Sequence, residues 1–197
     1  MRRKTFDALM VLAGLALAAV LLVAGGLLTW GHSFVTDQVH SQLAAQKIVF
    51  PPASSESIKT LPAADATAMK VYAGQTMTTG AQAQTYADHF IAVHLREIGG
   101  GLTYSQLSAK AMADPTNTKL AGQVATVFKG ETLRGLLLNA YGFWKMGQIV
   151  WIGAIVSFAG AAFLLILSLF GVWHLRRAPE TAEVFPKVSH NAKVRTA

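Results

Sequence analysis

The 197-residue chain is 52% apolar and only 14% charged, where an average soluble domain carries roughly 25% charge. That balance excludes intrinsic disorder by composition, and the gathering of apolar residues into two long runs argues against one soluble globule. The net charge of +7 would suggest a nucleic-acid partner in a soluble protein, and the lack of cysteine removes disulfides, thiolate zinc sites, cysteine-ligated iron–sulfur clusters and a cysteine nucleophile.

Residues 1–7 make a short basic head containing Arg2, Arg3 and Lys4, and residues 8–30 follow as 23 uncharged positions from Ala8 to Trp30. As a helix this run reaches about 34 Å, enough for a hydrocarbon core of roughly 30 Å. A cleaved signal peptide is the competing reading, with Ala24-Gly25-Gly26 resembling a processing site. The run exceeds a usual signal core of roughly 7–15 residues, which favours a retained anchor. Residues 146–173 are a second uncharged run of 28 positions, long enough to tilt or to emerge partly from a bilayer, closed by His174-Leu175-Arg176-Arg177.

Charge sets the expected orientation. Arg2, Arg3 and Lys4 abut the first run and Arg176 and Arg177 the second, so the positive-inside rule puts both termini in the cytoplasm. The tail, residues 174–197, has five basic and two acidic residues, whereas residues 31–145 have nine and seven over a far longer stretch. Trp30, Trp144 and Trp151 suit the outer interface of the plasma membrane and Trp173 the inner one.

The middle segment, 31–145, is poor in strand signals and predicts a small helical extracytoplasmic domain of four or five helices. Gly31-His32-Ser33 is either a break after the first span or part of a continuing helix, on which Phe34, Val35, Val39, Leu43 and Ile48 make an apolar stripe. Pro51-Pro52 stops any helix, and residues 51–62 read as a connector. A helix is expected over 63–72, then one over 81–98 opened by a Thr79–Gln82 capping box and ended by Gly99-Gly100-Gly101. Thr103 and Gln106 predict a second capping box, and Asp114-Pro115 a cap and first turn. The proline-free stretch from Thr116 to Trp144 is expected to run directly into the second span. The fold class is thus an all-α membrane protein, two transmembrane helices bracketing a small helical domain.

Three stretches, FVTDQVHSQLAAQKIVFPP, YADHFIAVHLREIGGGLTYSQLS and GETLRGLLLNAYGFWKMGQ, resemble a group of two-span actinobacterial membrane proteins without a characterised activity. The resemblance covers most of the chain from Phe34 to Arg177. It implies a host type and a topology and assigns no residue a role.

Few residues point to chemistry. Asp37 and His40 share a helix face, but a metal would need further ligands. Asp88, His89, His94 and Glu97 are the densest set of metal or acid–base candidates. His89 and His94 stand five apart, about 140° around a helix, unlike the four-residue spacing of HExxH. Glu131 and Arg134 are helix neighbours, and Arg134 and Lys145 are placed to reach lipid phosphates. The glycine triplet lacks a phosphate-loop pattern and no GxSxG elbow occurs. Neither span carries an ionisable residue, which argues against a transport path through one copy. Small residues Gly14, Ala18, Gly25 and Gly26 on the first helix are expected to meet Gly153, Ser157, Gly160 and Ala161 on the second.

The expected function is a non-enzymatic membrane scaffold or accessory subunit, partnered by lipids and by itself or other membrane proteins, with no cofactor and no nucleic acid. A homo-oligomeric channel and an extracytoplasmic sensor or lipid-binding module are the alternatives.

Overall fold

A computed structural model describes residues 3–177; Arg2 and the tail beyond Arg177 fall outside them. The described residues are mostly helical, with no strand among them. In chain order they form α1 (Arg3–Ala45), α2 (Glu56–Lys59), α3 (Ala63–Lys70), α4 (Gly80–Tyr86), a π-helical segment (Ala87–Ile91), α5 (Ala92–Ile98), α6 (Tyr104–Ala113) and α7 (Thr118–Arg177). Helix α1 passes through Gly31-His32-Ser33 without a break, and α7 runs unbroken for 60 residues. Each contains a segment long and apolar enough to cross a membrane.

The chain divides into two compact units, Met1–Thr29 with Ile152–Ala197, and Trp30–Trp151. The first is a pair of antiparallel helical segments. A Cβ added at Gly14 would lie 2.6 Å from Ser168 Oγ, one at Gly171 2.6 Å from Val11, one at Gly25 2.8 Å from Phe158, and one at Gly160 3.2 Å from Leu21. The partners run in opposite order along the two helices. Ala18, Ala154 and Ala161 are wholly buried between them and Ser168 nearly so. Val11, Ala18 and Gly25 recur every seven residues, as do Gly14, Leu21 and Leu28, and as do Ala154, Ala161 and Ser168 on the partner. That alternation keeps one narrow seam facing the other helix, and small residues on it let the backbones approach. Only 11% of the most apolar window of either helix is buried by protein.

The second unit has a core of its own. Val39 and Leu43 from the far end of α1, Phe50, Ile58, Met69, Met77, Ile91 and Leu137 are buried together. Helix α1 ends at Ala45 before the prolines are reached, because Lys47 takes a left-handed φ of 52°, a conformation helix C-termini usually give to glycine. Ile48 to Phe50 then pair with Gly74 to Met77 through three backbone hydrogen bonds of 2.8–3.1 Å around an isolated bridge, Val49 to Thr76. The expected connector over 51–62 is more than a connector: it holds the one-turn α2, whose Ile58 is fully buried. Two prolines at its start and one at its end mask that turn in the sequence.

Both threonine capping boxes form, Thr79 with Gln82 and Thr103 with Gln106. Gln82 is buried yet satisfied: its Oε1 accepts from the backbone N–H groups of Thr78 and Thr79, and its Nε2 donates to Gln75 Oε1. Gly80 is required because Trp144 lies directly over its Cα, and at Gly130 the end of the Leu95 side chain fills the space a Cβ would take. Gly100 and Gly101, at φ 60° and 81°, end the α5 helix as expected. Asp114-Pro115 does not open α7. Asp114 closes α6, and Asn117 caps α7 by accepting the Leu120 N–H at 3.0 Å.

Candidate functional site

A recess of the second unit lies between α1 and α7. Val35, Val39 and Leu43 descend α1 on one face, with Ile48 beyond them, while Leu133, Leu137 and Ala140 face them from α7. Together they floor a groove of about 530 Å³. Phe34, Leu136 and Phe143 stand at its edge, each about half exposed or more. Gln38 and Gln42 on α1 and Gln46 in the turn just past its end, spaced four apart, border it with amides, and Asn139 adds a fourth from α7. The Gln42 Nε2 reaches Gln38 Oε1 at 3.5 Å. Ligand sites of roughly 300–1,000 Å³ share this make-up of apolar walls with a few polar groups. The alternating stripe on α1 was visible in the sequence. The apolar face of α7 with Leu133, Leu136 and Leu137, about a hundred residues later, is legible too; that the two faces meet is not.

The densest set of titratable residues does not converge. Asp88 and His89 sit side by side in the π-helical segment, and as adjacent residues of a helix they point in different directions. Asp88 Oδ1 accepts from Arg134 Nη2 at 3.1 Å, while His89 Nδ1 meets Asp65 Oδ1 at 2.7 Å. His94 donates its Nδ1 hydrogen to the Phe90 carbonyl at 2.7 Å, one helical turn back. Glu97 is exposed on α5, as are Asp37 and His40 on α1. No three His, Asp or Glu side chains are grouped to hold a metal among the described residues. Arg134 also meets Glu131 at 3.5 Å, so this cation braces α7 against the π-helical segment. Its Nε is buried without a hydrogen-bond partner.

An aromatic row runs beside these groups. Phe50 contacts Tyr72 and Tyr86, Tyr86 contacts Phe90, and Phe90 contacts His94, with ring centroids 4.4–5.4 Å apart. Burial in this row pushes the Tyr86 phenol above its ordinary pKa of 10.0, since the phenolate would lose its hydration.

The eight small residues expected at a helix contact divide. Gly14, Gly25, Gly153 and Gly160 lie at the seam, with Ala18 and Ala161 buried in it, whereas a Cβ on Gly26 would meet nothing within 4 Å. Ser157 spends its hydroxyl on its own helix, donating to Gly153 O at 2.9 Å. Ser168 and Gly171 belong to the seam too, and the seven-residue spacing from Ala161 to Ser168 was the signal for the first of them.

The tryptophans differ in use. Trp30 is 67% exposed and stacks on Phe34. Trp151 lies against His32, whose Nδ1 hydrogen bonds Gly147 O at 2.9 Å. Trp144 commits one face to Gly80 and the core. In the other unit, Trp173 carries Arg177 4.0 Å above its ring. Arg3 and Arg176 are exposed and Lys4 is half-buried.

No protein family, curated protein or solved structure matches the chain. The likeness to two-span actinobacterial proteins therefore rests on the three stretches that suggested it.

Proposed function

We propose that this protein is a two-span plasma-membrane protein acting as a non-enzymatic scaffold or accessory subunit, with both termini cytoplasmic and residues 31–145 outside. The uncovered apolar surface of the two long helices supports the placement, and the basic residues Arg3, Lys4, Arg176 and Arg177 at their ends support the orientation. Lipids are its solvent on that reading.

The observation that carries the scaffold role is an aromatic pair on the surface of the cored unit, away from the ends of the apolar runs. Tyr104 from α6 and Phe128 from α7 stand 5.5 Å apart, and Phe128 is 55% exposed. Nearby polar groups are meanwhile engaged in bracing the fold, as Arg134 is by Asp88 and Glu131. Exposed aromatics of this kind fit a contact surface, where such rings carry much of the binding energy.

Purification from native membranes in a mild detergent tests this. The expected particle is larger than one chain with its detergent belt, either a homo-oligomer or a complex with another membrane protein. Phe128→Lys is expected to shift it toward the monomer without loss of helix content. A stable monomer under native-like lipid conditions, unchanged by Phe128→Lys, would contradict the proposal.

A further inference from the structure

We infer that the hairpin of α6 and α7 docks an acidic segment of a different protein outside the membrane, an inference that rests on the contact surface proposed above and names its partner. The first argument is charge. Residues 31–145 carry nine Lys or Arg and seven Asp or Glu, and residues 102–130 hold Lys110, Lys119 and Lys129 against Asp114 alone. The rest of that segment is balanced at six and six, so its whole excess of +2 lies on the hairpin. Glu131, next in the chain, is matched by Arg134. All three lysines are exposed, whereas Asp114 spends its carboxylate on Thr116 and Asn117, at 3.3 and 3.1 Å. A field of one sign over so small an element selects partners of the other sign.

The second argument is shape. Tyr104, Ser108 and Met112 stand four apart along one side of α6, and the Tyr104 ring contacts Phe128 of α7. Met112 is 74% exposed and Phe128 55%, so an uncovered apolar ledge runs about 12 Å along the hairpin at the helical rise. A notch of about 230 Å³ adjoins it. Thr103 and Val127, the residues just before Tyr104 and Phe128, line the notch together with Arg96, Glu131 and Arg134. Arg134 is committed to Asp88 and Glu131. Arg96 is exposed and makes no ion pair among the described residues, which leaves it to receive a carboxylate. The notch is smaller than the roughly 300–1,000 Å³ of pockets that enclose a whole small ligand. It suits one acidic side chain whose apolar neighbours in the partner cover the rings.

The third argument is that other occupants fit less well. A second copy would set one lysine-bearing hairpin against another, and like charges repel. A bilayer is out of reach. Phe128 stands 23 positions before Trp151 along the unbroken α7, about 35 Å at the helical rise, and Trp151 marks the outer interface in the proposed placement. An acidic glycan would want amides and carboxylates beside the rings to bind its hydroxyls. On the Phe128 face, α7 offers Ala121, Ala125 and Thr132 instead.

The experiment uses the full chain in isolated native membranes, with benzoylphenylalanine placed at Met112. After illumination, mass spectrometry of the crosslinked peptides identifies what lies on the ledge and through which stretch. A different protein is expected, joined through a stretch rich in Asp and Glu. Arg96→Glu and Lys129→Glu, both at exposed positions, are each expected to cut the yield several-fold with helix content unchanged. Arg96→Lys is expected to keep it, and raising the salt from about 0.05 to about 0.5 M before illumination to lower it. Crosslinks to a second copy or to a neutral or basic stretch, or yields indifferent to both Glu variants, would overturn the inference and leave the contact surface standing. Crosslinks to lipid or glycan alone, or to nothing, would overturn both.

Discussion

The two units use the same residue types in opposite ways. In the unit of Trp30–Trp151, large side chains such as Phe50, Ile58, Met69 and Met77 are fully buried and glycines admit the bulk of Trp144 and Leu95. In the paired-helix unit the buried seam is built from Ala18, Ala154, Ala161, Ser168 and glycines, while Leu17, Phe163 and Phe170 point outward. Water drives the first arrangement, because apolar area withdrawn from it is stabilising. The second makes sense where the solvent is itself apolar, so that close packing of small residues holds the helices together. An apolar fraction of 52% says nothing about this until one sees which side chains face inward.

The comparison breaks most readily at phenylalanine. Phe50→Ala is expected to cost about 3–5 kcal/mol, the range for emptying a packed core of such a ring. Phe163→Ala, at a position 61% exposed, is expected to change stability by less than about 0.5 kcal/mol. Denaturant titration in one detergent, followed by circular dichroism, measures both; comparable losses would erase the distinction between the units.

A smaller effect is expected at the seam. Gly25→Leu drives a side chain into Phe158 and is expected to cost about 1–3 kcal/mol, whereas Gly26→Leu meets open space and is expected to be neutral. The absence of cysteine permits a direct readout. A disulfide between cysteines placed at Val11 and Gly171 should form rapidly, slow markedly with Gly25→Leu and be unaffected by Gly26→Leu. Equal behaviour of the two leucine variants would contradict the seam.

The smallest expected effect is alkaline. The Tyr86 pKa is raised in the fold, so the unfolded chain releases its proton first as pH climbs past about 10 and stability falls from there upward. Below pH 10 the contribution is complete. Tyr86→Phe is expected to remove this part of the alkaline loss, visible as a flatter stability profile between pH 9 and 11. An identical slope in the variant would show that burial does not act on Tyr86.

What the sequence reveals follows the range of the interaction. Thr79–Gln82 and Thr103–Gln106 are legible because each box closes within one helical turn. The unbroken α1 and α7 are nearly so, since no proline interrupts either. The π-helical segment is not, because the extra residue changes no composition, only the register. The partners of Asp88 and His89 within it are hidden as well, since Arg134 and Asp65 lie 46 positions later and 24 positions earlier. The groove is likewise hidden, since neither wall alone differs from an ordinary amphipathic face. Asn117 is hidden as a cap because Asp114-Pro115 is the stronger pattern just before it.

The central claim is that two helices cross the membrane and place the cored unit outside. In a chain without native cysteine, single cysteines at Ser105, exposed on α6, and at Thr196 in the tail report it directly. With intact cells and a membrane-impermeant maleimide, the account predicts labelling at position 105 at once and at position 196 only after permeabilisation. Labelling of position 196 in intact cells, or protection of position 105, would contradict it.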